Sequence, residues 1–343
     1  MGIKIKSLKI KSLKIRNFRC IGELDLDFTD PDGNPLDLVV LAGPNGCGKT
    51  SVLEAILIAC GRKQLMAASA ENPLSNMKIG AENFEIKADV QIDGEHVTLI
   101  WQIEYQWDDK YRTKKPVIAE RDSCPEYLRL RRDEEIPIAY FSSWRGPKLV
   151  GALPVTIGSK QEPVERTEDN RLWIFKQKCI DSWTGALYEN SKREPMSDHQ
   201  TRALFDPLND AWRIFYPGRQ SRFIVAPVGK REGFELMLEY EDGARIPVEQ
   251  LSSGEIEVLT MAGWFTMNDY KGGIVLIDEP ELHMHVQWHW AMMRALRKLL
   301  PDSQIIAATH SWDILESVMD YERFTLLPEG DPRTAIDNKA VIR

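Results

Sequence analysis

Three groups of residues in this chain have types and spacings that could do chemistry on a phosphate ester. The run Gly43-Pro44-Asn45-Gly46-Cys47-Gly48-Lys49-Thr50-Ser51 matches G-x-x-x-x-G-K-[ST], between an apolar run and a helical pattern. Glycines at these positions let successive backbone N–H groups converge on phosphate oxygens. A helix start adds about half a positive charge. Residues Asn45, Gly46, Cys47, Gly48, Lys49, Thr50 and Ser51 are therefore candidate nucleotide contacts. Lys49 suits the β- and γ-phosphates and Thr50 a Mg²⁺ ion. Cys47 is a loop residue with no catalytic part. The second group is Ile274-Val275-Leu276-Ile277-Asp278-Glu279-Pro280, four apolar residues running into two acids. Asp278 suits the far side of the Mg²⁺, through water, and Glu279 suits the polarisation of an attacking water. The third is Ile305-Ile306-Ala307-Ala308-Thr309-His310-Ser311. His310 at a strand end is either a satisfied buried residue or a γ-phosphate contact, and its place after Asp278-Glu279 favours the contact.

A fourth group, Leu251-Ser252-Ser253-Gly254-Glu255, opens an apolar helix over about 256–265. A Ser-Gly helix start offers free N–H groups and a hydroxyl to an anion, so Ser253, Gly254 and Glu255 join the nucleotide contacts. His283, His285 and His289 invite a metal reading, but no H-E-x-x-H is present. Arg145, in Tyr140-Phe141-Ser142-Ser143-Trp144-Arg145, could reach a nucleotide.

Regular elements must hold these residues together. From Ser253 onward the pattern runs helix, strand, helix, strand, helix, which argues for a parallel sheet with helices packed on it. Residues 14–42 read as strand, turn, strand, and a helix follows from Lys49 to about Cys60. Residues 84–105 alternate as an antiparallel hairpin around Asp93-Gly94. The strongly charged stretch 108–135 reads as a surface excursion, 136–141 as a strand and 145–170 as a loop. Residues 171–216 carry apolar residues at helical intervals, and 222–248 read as strands. The domain reading is an N-terminal lobe over 1–145 with the glycine loop and the hairpin, a helical insert lobe over 146–221, and a C-terminal lobe over 222–343 with the other three groups. The repeat Lys4-Ile-Lys-Ser-Leu, Lys9-Ile-Lys-Ser-Leu, Lys14-Ile-Arg-Asn-Phe has a five-residue period. Such a period would flip faces from unit to unit, so only the last unit need belong to the fold. Before Glu23 there are seven Lys or Arg and no acid. The segment reads either as an edge strand kept soluble by Lys or as a basic strip for phosphate backbones.

Composition excludes several classes. The chain has 343 residues, 43% hydrophobic and 28% charged, with net charge −8. The negative balance argues against wholesale coating of nucleic acid. No apolar run approaches the ~20 residues of a membrane span. Five cysteines without a C-x-x-C pair argue against a disulfide framework and fit a reducing cytoplasm.

Taken in order, the four groups resemble the ABC-type ATPases, and within them the SMC, RecF and OLD-like branch. Lys14-Ile15-Arg16-Asn17-Phe18-Arg19-Cys20-Ile21 looks like that branch's opening strand. Asp278–His283 looks like its Walker B and D-loop, Leu251–Glu255 is similar to its signature motif, and His310 to its switch histidine. Val286 stands where the family often has Pro. The resemblance implies an α/β fold: a P-loop NTPase head of the ABC-ATPase type with a mixed or parallel central sheet, an antiparallel β subdomain and a helical lobe. It implies ATP and Mg²⁺ as cofactors and a homodimer or higher assembly in which Ser253 and Gly254 act in trans. Compact OLD-like ATPases of this kind occur with separate effectors in antiviral systems such as Septu, PARIS and retron modules. OLD-type proteins carry a nuclease domain beyond the switch histidine, and the short stretch after His310 does not fit one. Nuclease or toxin activity is accordingly expected of a partner protein. A RecF-like repair ATPase, with nucleic acid as partner, and a slowly hydrolysing scaffold are the alternatives.

Overall fold

The computed structural model describes residues 5–66, 76–108, 113–123, 136–146, 149, 151–154, 170–191, 204–229, 233–268, 270–328 and 340–342. Cys124 and most of the expected 145–170 loop lie outside them. The chain divides into two compact units. The first comprises residues 1–143, 271–281 and 300–343, and the second 144–270 and 282–299. The first division falls close to the expected 145, but no division falls near 222. Residues 222–270 share a unit with the helical segment before them, as does the later stretch 282–299. Packing rather than chain order sets these units, so the chain passes between them four times.

Unit 1 begins with β1 (Leu8–Phe18), β2 (Ile21–Asp27), β3 (Leu38–Ala42) and helix α1 (Lys49–Ala59). Strands β4 (Asn83–Ile92), β5 (Glu95–Asp108), β6 (Thr113–Asp122) and β7 (Ile138–Phe141) follow. A five-stranded antiparallel sheet has the order β2-β1-β4-β5-β6. Asp93 and Gly94 make the expected β4–β5 turn, both at positive φ. β6 lies inside the stretch expected to be a surface excursion. Its charge hides it: Thr113-Lys-Lys-Pro116 gives no apolar alternation, yet it pairs with β5 along its whole length.

The five-residue repeat is resolved by a bulge. The register of β1 against β4 shifts between Ile10 and Ser12, and the extra residue restores the face the period would flip. Leu8, Ile10, Leu13, Ile15 and Phe18 are thus all buried, and the second repeat unit belongs to the fold. Nor is β1 an edge strand, for it lies between β2 and β4. Two of its cations are engaged by acids: Lys9 with Asp37 at 2.5 Å, and Arg16 with Asp25 at 2.7 Å and Glu23 at 3.0 Å.

Unit 1 also holds β11 (Ile274–Asp278), β12 (Gln304–Thr309), helix α6 (Trp312–Glu316), β13 (Arg323–Pro328) and β14 (Ala340–Ile342). These join β3 and β7 in a six-stranded sheet of order β14-β13-β3-β12-β11-β7. Every pairing in it is parallel. Leu38–Leu41, Ile274–Ile277 and Ile306–Ala308 are 0% exposed, as strands buried on both faces require. Gln304 ties the two sheets. Its side chain accepts from Ile10 N at 2.7 Å and donates to Ile10 O at 2.9 Å and Leu36 O at 2.8 Å. This satisfies β1 backbone groups beyond the end of its pairing with β2, which would otherwise cost about 1–3 kcal/mol each.

Unit 2 contains α2 (Arg171–Ser191), α3 (Asp206–Phe215), β8 (Ser221–Pro227), β9 (Phe234–Tyr240), β10 (Arg245–Pro247), α4 (Ser253–Met267) and α5 (Val286–Leu299). Its three strands form an antiparallel sheet, β10-β9-β8. Trp212 packs edge-on against Phe223, and the Phe175 ring lies against Gly263, where a Cβ would clash. Among the described residues no helix is long and apolar enough to cross a membrane.

Candidate functional site

Because the six-stranded sheet is parallel, β3, β11 and β12 end at one edge, the usual place for a ligand in such sheets. Gly43, directly after β3, has φ 154°, and a Cβ there would collide with the Leu326 carbonyl and the Cys47 sulfur. Gly46 and Gly48 have φ of 78° and 92°, the left-handed region that glycine tolerates. Gly48 is the N-cap of α1, no side chain caps this helix, and its first turn carries no acid. The first-turn N–H groups are thereby left for an anion. The cradle and the bare helix start fit a polyphosphate.

Lys49 and Thr50 open α1. The Lys49 ammonium donates to the carbonyls of Gly43 at 2.9 Å and Pro44 at 3.1 Å, and lies 3.3 Å from His310 Nδ1. Thr50 Oγ1 donates to Asp278 Oδ2 at 2.8 Å, joining two residues 228 apart in sequence. A hydroxyl and a buried carboxylate side by side suit a hard divalent cation. Ser51 is buried on α1, with Cys20 3.9 Å away. Burial pushes the Cys47 thiol above its ordinary range, with Lys49 opposing, which disfavours the reactive thiolate form.

Glu279 and His310 complete the cleft, which has a volume of about 490 Å³ and is also lined by Asn45 and Gly46. Glu279 stands at φ 53°, and its N–H donates to Ala308 O at 2.7 Å. The first residue past β11 is thus turned out of the strand but stitched to β12. His310 Nε2 lies 3.4 Å from Glu279 Oε1, both side chains about one-third exposed. Lys49, His310 and Glu279 therefore form a row across the cleft. Two groups went unread in the sequence. Glu281 accepts three hydrogen bonds from Thr309–Ser311. Arg19, after β1, is ion-paired with Glu54 of α1 and donates to Asn76 at 3.0 Å. A third acid three residues past Asp278 was the available signal for Glu281.

The fourth group lies in unit 2. Ser252 is the N-cap of α4, and Ser253 is its first residue. The Glu255 carboxylate turns back to Ser252, accepting from its N–H at 2.9 Å and its hydroxyl at 2.6 Å, and pairs with Arg219. Burial raises its pKa, but these hydrogen bonds and Arg219 outweigh that and hold it below the usual range. The Glu255 side chain and backbone N–H are thus both taken up by a capping box with Ser252, and the N–H groups of Ser253 and Gly254 are the ones left to face an anion. A Cβ on Gly254 would lie 2.9 Å from the His283 carbonyl oxygen, so glycine is what lets the 283–284 backbone rest on the helix start. Arg145 is 4% exposed and paired with Glu257 of α4, so it is already engaged rather than open to a nucleotide. Among the described residues no three His, Cys, Asp or Glu side chains gather as a metal site, and His283, His285 and His289 form no such group.

A family model described as "AAA domain, putative AbiEii toxin, Type IV TA system" matches residues 38–316. The chain belongs to this AAA-domain family. The match spans the glycine loop, the signature helix, Asp278-Glu279 and His310. Among curated relatives, the Septu protein PtuA of Bacillus mycoides (strain KBAB4) is 22% identical over 327 residues, covering 94% of this chain and 41% of that protein. The Septu protein PtuA of Bacillus thuringiensis is 33% identical over 111 residues, 28% of each chain. A protein named "Retron Ec83 probable ATPase" from Escherichia coli is 28% identical over 188 residues, covering 45% of this chain and 33% of its own length. The chain thus spans less than half the length of the curated relatives it matches. In fold it is similar to an SMC head bound to the C-terminal winged-helix domain of ScpA, with a TM-score of 0.54 at 15% identity over 90% of this chain and 92% of that one. An SMC head with an extended coiled coil, from Pyrococcus furiosus, gives 0.53 at 14% identity, over 91% and 92%. The AAA-domain chain thus has the fold of the SMC heads, and its motifs stand in the order that the resemblance to ABC-type ATPases implies.

Proposed function

We infer that this chain binds ATP with Mg²⁺ at the shared edge of β3, β11 and β12 and hydrolyses it to ADP and phosphate, with two copies closing the site. The observation that carries the reading is the meeting of Lys49, Thr50, Asp278, Glu279 and His310 in one cleft of unit 1. The α1 amides hold phosphate oxygens, and Lys49 exchanges the Gly43 and Pro44 carbonyls for them. Thr50 and Asp278 would hold Mg²⁺, which would supply positive charge to the transferring phosphoryl group. Glu279 orients the attacking water and takes its proton, while His310 contacts the γ-phosphate.

One P-loop leaves a side of that phosphoryl group open. The uncommitted N–H groups at the start of α4, with Ser253 exposed beside them, suit the missing donor set. In this reading they come from the twin subunit, so each dimer holds two composite sites. The cellular role is that of the ATPase, or sensor, of a prokaryotic antiviral defence complex that controls a separate effector such as a nuclease or toxin. The similarity to Septu and retron proteins supports this; the fold alone would not. A DNA-repair role would draw on the basic N-terminus, but two of its cations are already paired, Lys9 with Asp37 and Arg16 with Asp25 and Glu23. Purified protein is expected to release phosphate from ATP with Mg²⁺ and to stop when EDTA removes the metal. Binding of Mg-ATP without any turnover would replace this reading with the scaffold one.

A further inference from the structure

Glu281 has no part in the reaction described above, yet its carboxylate is committed to the switch segment. Its Oε1 accepts from Thr309 Oγ1 at 2.7 Å, His310 N at 2.9 Å and Ser311 N at 3.1 Å. Its Oε2 is buried, with no hydrogen-bond partner among the described residues. A charged oxygen receiving three donors makes strong hydrogen bonds, and enclosing the second oxygen without a partner is costly. An arrangement that carries this cost fixes something.

What it fixes is the backbone of His310. The ring of that residue lies between Lys49 and Glu279, at 3.3 Å and 3.4 Å. On the other side of the same turn, Glu279 N–H is bonded to Ala308 O. Residues 278–281 and 308–311 are therefore clamped twice, once through Glu279 backbone and once through Glu281 side chain. Thr309 is fully buried and also accepts from Ser311 N at 2.9 Å, so the turn has little freedom apart from the His310 ring.

We propose that Glu281 is a positioning residue that sets the switch histidine against the water-activating carboxylate, making the strand ends after β11 and β12 move as one piece. The proposal rests on the ATPase reading for its kinetic consequence but not for its structural one. A loop of fixed length holds His310 within reach of Glu279, and a shift of about 1 Å there can cost turnover about 100-fold. Lys49 and the α1 amides are held by α1 and the glycine loop rather than by this clamp, so most of the phosphate contacts should outlast its loss.

The test compares Glu281→Ala, Glu281→Gln and Thr309→Val with the wild type in three readouts: ATP turnover, nucleotide affinity, and the His310 ring signals in ¹⁵N-histidine NMR. Six histidines make that spectrum tractable. Glu281→Ala should lower kcat by about 10–100-fold with ATP affinity within about twofold, and should shift the His310 ring signals. Glu281→Gln keeps an acceptor oxygen for the two amides and should restore most of the rate. Thr309→Val, one donor short, should fall between. The proposal is overturned by a wild-type kcat in Glu281→Ala, by affinity falling in step with turnover, or by Gln being as impaired as Ala. Should Glu281→Ala fail to fold, Gln and Val variants with wild-type rates and an unmoved His310 signal would overturn it, whereas a graded loss supports it. A wild type without turnover would refute the ATPase reading alone. The NMR comparison would still decide the clamp, since His310 signals unmoved by Glu281→Ala refute it and shifted signals uphold it.

Discussion

Glu279→Gln should lose ATP turnover by about 10²–10⁴-fold while keeping its affinity for ATP. The amide has the size of the carboxylate and keeps an oxygen toward His310 Nε2, which lies 3.4 Å away in the native protein. Its backbone bond to Ala308 is untouched. What disappears is the capacity to take a proton from water. The phosphate cradle and the Thr50–Asp278 pair stay in place, so bound ATP should persist and hold two copies together. Sedimentation with Mg-ATP should give twice the mass of the 39.3 kDa chain. Phosphate release at the wild-type rate would remove Glu279 from the mechanism.

Lys49→Ala should do the opposite, abolishing binding first. Among the described residues the ammonium is the one Lys or Arg cation lining the cleft, at 6% exposure. Charge-assisted hydrogen bonds contribute about 1.5–3 kcal/mol each, so removing the ammonium's bonds to two phosphates weakens ATP binding about 100-fold or more. Stability should change little, because the bonds released are to the Gly43 and Pro44 carbonyls at the rim of the cleft. Calorimetric titration beside a melting curve separates the two effects. Undiminished ATP affinity would move the nucleotide site elsewhere.

The parts of this protein that sequence displays most clearly are those where one physical constraint acts alone. The runs ahead of Gly43, Asp278 and His310 read as strands because each is short, apolar throughout and ends at a chemical group, as strands of a doubly covered parallel sheet do. Three such strands ending in a glycine, an acid and a histidine bring those residues to one edge. Legibility fails where two constraints compete. The five-residue repeat speaks against a continuous β1 unless a bulge is allowed, and a bulge is set by neighbours rather than by propensity. Charged β6 pairs along its whole length with β5, a ladder that no apolar alternation in its sequence announces. Arg145 looks free in sequence and is taken by Glu257, a partner 112 residues away. Glu281 and Glu54 are acids whose value appears only once the turn or helix they serve is in place.

In the proposed dimer each nucleotide is held by the P-loop of one chain and the α4 start of another. This sharing is tested by mixing two inactive proteins. Glu279→Gln has a sound signature helix and a dead base. Ser253→Glu has a sound base, and its new carboxylate is tolerated at a helix start but repels an incoming phosphate. Each alone should be silent. Mixed in equal amounts, half the dimers are mixed and each has one intact composite site, so about a quarter of the wild-type rate should return. A mixture as silent as its parts, or Ser253→Glu turning over ATP unaided, would contradict the shared site.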